Sequence, residues 1–227
     1  MGALMPPTRA VLLDALGTLV ELEPPWMHLG EALGDGVPAD RLEAAVRAEM
    51  RYYREHSDEG RDPVSLAELR SRCAAVLSRE LGRTVDVDTL MAAIRFRAYP
   101  DAAPALAGLR ERGLSVVCVS NWDCSLPGVL ERCGLGGALH GVVSSAEAGA
   151  RKPDPAIFAG ALEIARCAPG EALHVGDTLA DDVEGARAAG IRALLLDREG
   201  SPGAPGERDR EQARIASLGQ IEQYLES

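Results

Sequence analysis

In this 227-residue chain, residues able to do chemistry stand directly behind apolar runs. Asp14 follows Val11-Leu12-Leu13 and runs into a Gly17-Thr18 turn. Ser120-Asn121 end the run 114–120, Lys152-Pro153 lie beyond a short run at 141–144, and Asp177 follows 172–175 with Asp181-Asp182 close behind. In an open α/β sheet the carboxyl ends of parallel strands share one edge, so these groups are expected to converge. An aspartate cluster drawn from two strands is a hard oxygen site suited to Mg²⁺. A hydroxyl, an amide and an ammonium beside it would bind an oxyanion such as phosphate. Asp14 is placed to act as a nucleophile, since carboxylates form acyl-phosphates in phosphoryl transfer.

Lys152 stands out by composition. The chain has 24 basic residues, and 23 of them are arginine. A general bias toward arginine explains the missing lysines, but not why the one that remains sits beside Pro153-Asp154. Arginine is a flat fork and lysine a compact point charge, so a site needing a narrow ammonium resists the exchange.

The elements that must position these groups follow from periodicity. Residues 21–25 read as a turn or short hairpin. From 26 to 98 the pattern is helical and contains no strand, with Leu42, Ala45, Val46, Met50 and Tyr53 forming one apolar stripe. Asp40-x-x-Glu43 and Ser65-x-x-Glu68 read as helix-opening capping boxes, and Asp86 or Asp88 as the cap of a third helix. From 99 onward strands and helices of 8–12 residues alternate: a strand at 114–120, helices at 126–133 and 180–189, a strand at 193–197, a Gly/Pro-rich loop at 201–210 and a final helix at 218–225. That alternation predicts βαβ units, and hence a Rossmann-like, doubly wound, mostly parallel α/β sheet. The expected division is a core of residues 1–22 and 99–227 and an inserted all-helical cap of residues 23–98. An insert leaving the carboxyl end of the first strand lies over the mouth of the site and is placed to act as a lid.

Composition sets the remaining bounds. A net charge of −11 argues against nucleic acid or an anionic membrane as partner. No apolar run approaches the ~20 residues needed to span a bilayer, and residues 1–10 do not read as a secretory signal. Five cysteines without a C-x-x-C pair fit a reduced, cytoplasmic protein. The four histidines lack ligand spacing and read as surface or packing residues. Trp122 and Asp123 read as packing or loop residues, and Arg51, Tyr52, Tyr53 and Arg54 as a solvated helix face.

With these residues laid out, the chain resembles the haloacid dehalogenase-like hydrolase superfamily, in the branch with a helical cap after the first motif. The resemblance covers essentially the whole chain. It implies that Asp14 is the nucleophile and that Asp14 and Asp177 hold Mg²⁺, helped by the main-chain carbonyl of Leu16. It implies that Thr18, Ser120, Asn121 and Lys152 orient a phosphoryl group, with Lys152 also catalytic. Asp182 matches the second acidic residue of the Gly-Asp motif, and Asp181 is the adjacent alternative. The expected partner is a small phosphorylated molecule.

The chain departs from the pattern at Leu16. Phosphatases of this superfamily carry an aspartate there, which protonates the leaving oxygen and later activates water. General acid–base help is typically worth ~10²–10⁴-fold in rate. Mg²⁺-dependent phosphatase chemistry of reduced or unusual activity is therefore expected. The alternatives are a catalytically silent descendant that binds a phospho-ligand or a protein, and a 2-haloacid dehalogenase, whose halide leaving group needs no acid. Phosphonoacetaldehyde chemistry is excluded, because the cap has no lysine for a Schiff base.

Overall fold

The computed structural model describes residues 6–34, 36–198 and 213–225. The loop expected at 201–210 lies outside the described residues. The first strand, β1 (Ala10–Leu13), is buried on both faces. That is why it reads as an unbroken apolar run and not as an alternating one. Its chain neighbours in the core are β4 (Ser115–Ser120), β5 (Gly141–Ser144), β6 (Ala172–Gly176), β7 (Arg192–Leu196) and β8 (Arg214–Ile215). Together they form a six-stranded sheet in the order β5-β4-β1-β6-β7-β8, every pairing parallel.

Alternate residues of the strands feed two cores. Val11, Leu13, Val116, Cys118, Leu173 and Val175 face one side, against α5 (Ala102–Glu111) and α6 (Leu126–Arg132). Ala10, Leu12, Val117, Val119 and Leu195 face the other, against α8 (Ala156–Ala165), which follows the single turn α7 (Ser145–Ala148). The chain builds outward from β1 first through β4 and β5, then returns through β6. The order therefore reverses at β1, and a crevice opens above its carboxyl end.

The insert holds α1 (Pro25–Leu33), α2 (Ala39–His56), α3 (Pro63–Leu81) and α4 (Val87–Ala93) around a separate apolar core that includes Leu29, Leu42, Val46, Leu69, Leu77 and Leu90. Its stems are not helical. β2 (Val20–Leu22) and β3 (Phe96–Ala98) pair antiparallel, so residues 21–25 begin as strand and the expectation of no strand up to 98 fails. Three-residue strands give too little period-2 signal to read. No described helix is long and apolar enough to cross a membrane.

Capping differs from expectation at two helices. α3 opens on Asp62, whose carboxylate accepts from the Val64 and Ser65 amides, with Pro63 at the first turn and Ser65 returning the bond. Ser65 is thus the third position of the box and not its cap. α2 begins after Pro38 without a side-chain cap; Asp40 accepts from the neighbouring Arg41 amide, and Glu43 pairs with Arg47 one turn on. Asp86 caps α4 through the Thr89 amide, as the sequence suggests. The segment expected as one helix over 180–189 is a π-helical stretch, Leu179–Glu184, running into α9 (Gly185–Ala188). The last element, Leu218–Tyr224, is 3₁₀.

Candidate active site

Asp14 sits one residue beyond β1, but its amide still donates to the Val175 carbonyl at 3.0 Å. The sheet ladder thus fixes its backbone. Its side chain is buried, and Ser120, the last residue of β4, acts to lower its pKa. Lys152, itself 3% exposed, donates from Nζ to Asp14 Oδ1 and to Asp182 Oδ1, the latter at 2.5 Å. Asp182 has two further partners. Its Oδ1 also meets His174 Nε2 at 3.0 Å, and its Oδ2 accepts from the Thr178 amide at 3.0 Å.

Asn121 spends both ends of its amide on Lys152. Its Nδ2 donates to the Lys152 carbonyl at 3.0 Å and its Oδ1 accepts from the Lys152 amide at 2.7 Å. It holds the lysine's backbone in register with the end of β4. Asp177 follows β6 and opens toward the crevice, as does Asp181. Gly176 is required here: a β-carbon at that position would collide with the Asp182 carboxylate. Leu16 is half-buried against the core and faces the same crevice. Thr18 is placed differently. It is fully buried, its hydroxyl has no hydrogen-bond partner, and it is absent from the crevice lining.

Carboxylate oxygens of Asp14, Asp177 and Asp182 lie within 4.8 Å of one another. Three close hard oxygens fit a small divalent cation such as Mg²⁺. Of the two adjacent acids it is Asp182, not Asp181, that joins this cluster.

The electrostatics follow from burial and crowding. Burial raises the pKa of Asp14, Lys152 opposes the rise and Asp182 adds to it. Asp177 is pushed up to about 6, first by the surrounding protein mass and then by the Asp14 and Asp182 charges, although one side of it is open to the crevice. Burial acts to raise Asp182 as well, but Lys152 and His174 outweigh it and hold this carboxyl well below the usual range. Burial alone would lower Lys152; its two carboxylate partners outweigh that and hold it firmly protonated.

The crevice is a cavity of about 1010 Å³ between the strand ends and the cap. Its cap wall includes Glu49, Tyr53 and Arg54, so part of the supposed solvated face of α2 looks inward. Trp122 and Asp123 line it too, and Tyr53 donates to Asp123 Oδ2 at 2.8 Å, tying cap to core. Sequence reasoning missed His174, Glu49 and this link. His174 is fully buried in β6, edge-on to Phe158, and it supports Asp182. Its only signal was a polar residue inside an apolar strand. Glu49 signalled itself in the same way, as an acid on the stripe Leu42–Ala45–Val46.

Comparison with known proteins agrees with this geometry. The family described as haloacid dehalogenase-like hydrolase matches residues 8–190. Among curated relatives, haloacid dehalogenase-like hydrolase domain-containing protein 3 of Bos taurus is 42% identical over 95 residues, 42% of this chain and 38% of that protein. Phosphoserine phosphatase of Thermus thermophilus is 41% identical over 112 residues, 49% of this chain and 45% of that protein. The chain thus spans about two fifths of the length of these relatives. Among solved structures, a HAD phosphatase from Thermococcus onnurineus superposes with a TM-score of 0.67 at 25% identity, covering 96% of this chain and 98% of that one. The L-2-haloacid dehalogenase of Xanthobacter autotrophicus gives 0.70 at 22% identity over 95% and 97%, a likeness of fold.

Proposed function

We propose a phosphoryl-transfer role for this chain, from the premise that it belongs to the haloacid dehalogenase-like hydrolase family. The reading is a Mg²⁺-dependent phosphatase working through an aspartyl-phosphate on Asp14. The observation that carries it is the three-carboxylate cluster with Lys152 Nζ bridging Asp14 and Asp182.

Asp14, Asp177 and Asp182 would hold Mg²⁺, with the main-chain carbonyl of Leu16 as a further ligand. Bound there, the ion would shield the charge of the phosphoryl oxygens from the attacking carboxylate. Asp14 attacks phosphorus, the bond to the leaving oxygen breaks, and water later releases phosphate. Lys152 and Ser120 bind the phosphoryl oxygens, while Asn121 and Asp182 position Lys152. The hydroxyl of Thr18, away from the crevice lining, receives no role. Leu16 can neither protonate the leaving oxygen nor activate water, so attack on substrates with poor leaving groups is slow, and release of the phosphoryl group from Asp14 is slow for all of them. The curated relatives' names include a phosphoserine phosphatase, which is consistent with a small phosphomonoester as substrate.

Leu16 also favours a second reading, in which the site binds a phosphorylated ligand or a protein partner without turning it over. A dehalogenase reading is less favoured, because the acidic cluster repels a carboxylate substrate.

Hydrolysis of p-nitrophenyl phosphate with and without Mg²⁺ separates them, because this leaving group needs no acid. Turnover by the wild type that EDTA and Asp14→Asn both abolish supports the phosphatase. Activity only in Leu16→Asp supports the silent binder. Inactivity of all variants while folded, with halide release from a 2-haloacid, would establish the dehalogenase.

A further inference from the structure

The wall of the cavity facing the reaction centre carries one group that the phosphatase reading does not use. Glu49 lies in the middle of α2, on the stripe that buries Leu42, Ala45 and Val46 in the cap core. It is 5% exposed and lines the cavity. The cap side of that cavity presents apolar surface from Met50, Leu90, Met91 and Ile94, and polar groups from Arg54 and Arg70.

The carboxyl is poorly matched. The donor that bears on it is the thiol of Cys73, across on α3, and a thiol is a weak donor. Among the described residues no cation pairs with it, although Arg70, one turn before Cys73, lines the same cavity. Burial raises its pKa accordingly. A carboxyl buried without a proper partner is unfavourable in either protonation state, and an apolar residue would serve the cap core better. Tyr53, one turn further along α2, cannot relieve it, because its hydroxyl is committed to Asp123.

We propose that Glu49 is a specificity residue, receiving a hydrogen-bond-donating group, an ammonium or a hydroxyl, at the far end of a phosphomonoester. The apolar wall accommodates the carbon spacer between that group and the phosphate at Asp14. The inference rests on the phosphatase reading and adds a substrate class to it: small aliphatic phosphomonoesters with a terminal amine or alcohol.

The test uses n-alkyl, ω-hydroxyalkyl and ω-aminoalkyl monophosphates of two to six carbons, with p-nitrophenyl phosphate as the probe without a terminal donor. At one chain length, kcat/KM for the amino or hydroxy ester should exceed that of the alkyl ester by about tenfold or more. The member of the pair that leads identifies the donor. Glu49→Leu should collapse the ratio, and Glu49→Gln should keep part of a hydroxyl preference but lose an ammonium preference. Both variants should hydrolyse p-nitrophenyl phosphate at the wild-type rate. Absence of preference at every length, or a preference that survives in Glu49→Leu, overturns the subsite while the phosphatase reading stands. If the wild type hydrolyses none of these, p-nitrophenyl phosphate included, the phosphatase reading fails. The subsite is then decided by calorimetric binding of the same series to wild type and Glu49→Leu: binding that favours the donor-bearing ester in wild type alone supports it, and equal binding overturns it.

Discussion

Gly17 lies so close to Asp177 that a β-carbon on it would overlap the aspartate's carboxylate. The backbone at Gly17 is also in the left-handed region, with φ of 84°. The turn after β1 and the end of β6 thus meet through a glycine, with no room for a side chain. Gly17→Ala should push Asp177 out of the carboxylate cluster and strain the turn, at a cost of about 1–3 kcal/mol. A calorimetric Mg²⁺ titration should show at least about tenfold weaker binding, which corresponds to ~1.4 kcal/mol. Unchanged affinity would place the metal elsewhere.

Lys152 is the one cation inside a knot of three acids. Lys152→Met removes the partner of two buried carboxylates and should destabilise the metal-free protein by about 3–5 kcal/mol, read from urea unfolding. Lys152→Arg should rescue little of this, since a planar fork does not fit where one nitrogen meets two oxygens. Both variants should lose about a hundredfold or more in kcat on p-nitrophenyl phosphate.

The raised pKa of Asp177 makes stability depend on pH in a definite sense. Its folded value, about 6, lies above the ordinary aspartate value of 3.8, so folding favours the protonated form. Its contribution is fully present below pH 3.8 and is lost as pH rises through 6. In metal-free protein, Asp177→Asn should therefore raise Tm more at pH 7.5, where the aspartate is charged beside Asp14 and Asp182, than at pH 4.5. Equal effects at both pH values would refute the crowding argument.

Arg198 clamps the same turn from outside. It donates to the carbonyls of Gly17 at 3.2 Å and Thr18 at 2.8 Å, forks onto both oxygens of Asp101 at 3.0 Å, and lies 3.8 Å over the Tyr99 ring. It joins the segment leaving for the cap to the segment returning from it. It also lies beyond the stretch matched by the family. Arg198→Ala should cost about 1.5–3 kcal/mol and, on the proposed function, lower kcat with little change in KM, because the turn after Asp14 loosens while Ser120 and Lys152 stay in place. A rise in KM alone would count against a positioning role.

Much of this was legible in the chain itself. Buried parallel strands leave continuous apolar runs, and a strand's end is marked by the first polar residue after the run. Asp14, Ser120 and Asp177 could therefore be assigned to one edge without coordinates. Lys152 was legible for a different reason, as the one lysine in an arginine-rich chain. What the sequence could not decide was distance and direction. Both Asp181 and Asp182 follow the Gly-Asp pair, and only the π-helical turn puts Asp182 into the carboxylate cluster while leaving Asp181 on the cavity wall. Thr18 and Asn121 have the right chemistry at the right spacing, yet one buries its hydroxyl and the other turns its amide onto Lys152. The cap's contribution was also hidden. A helix stripe shows which residues point inward, but whether inward means core or cavity depends on what packs opposite, and for Glu49 and Tyr53 only the tertiary structure decided that.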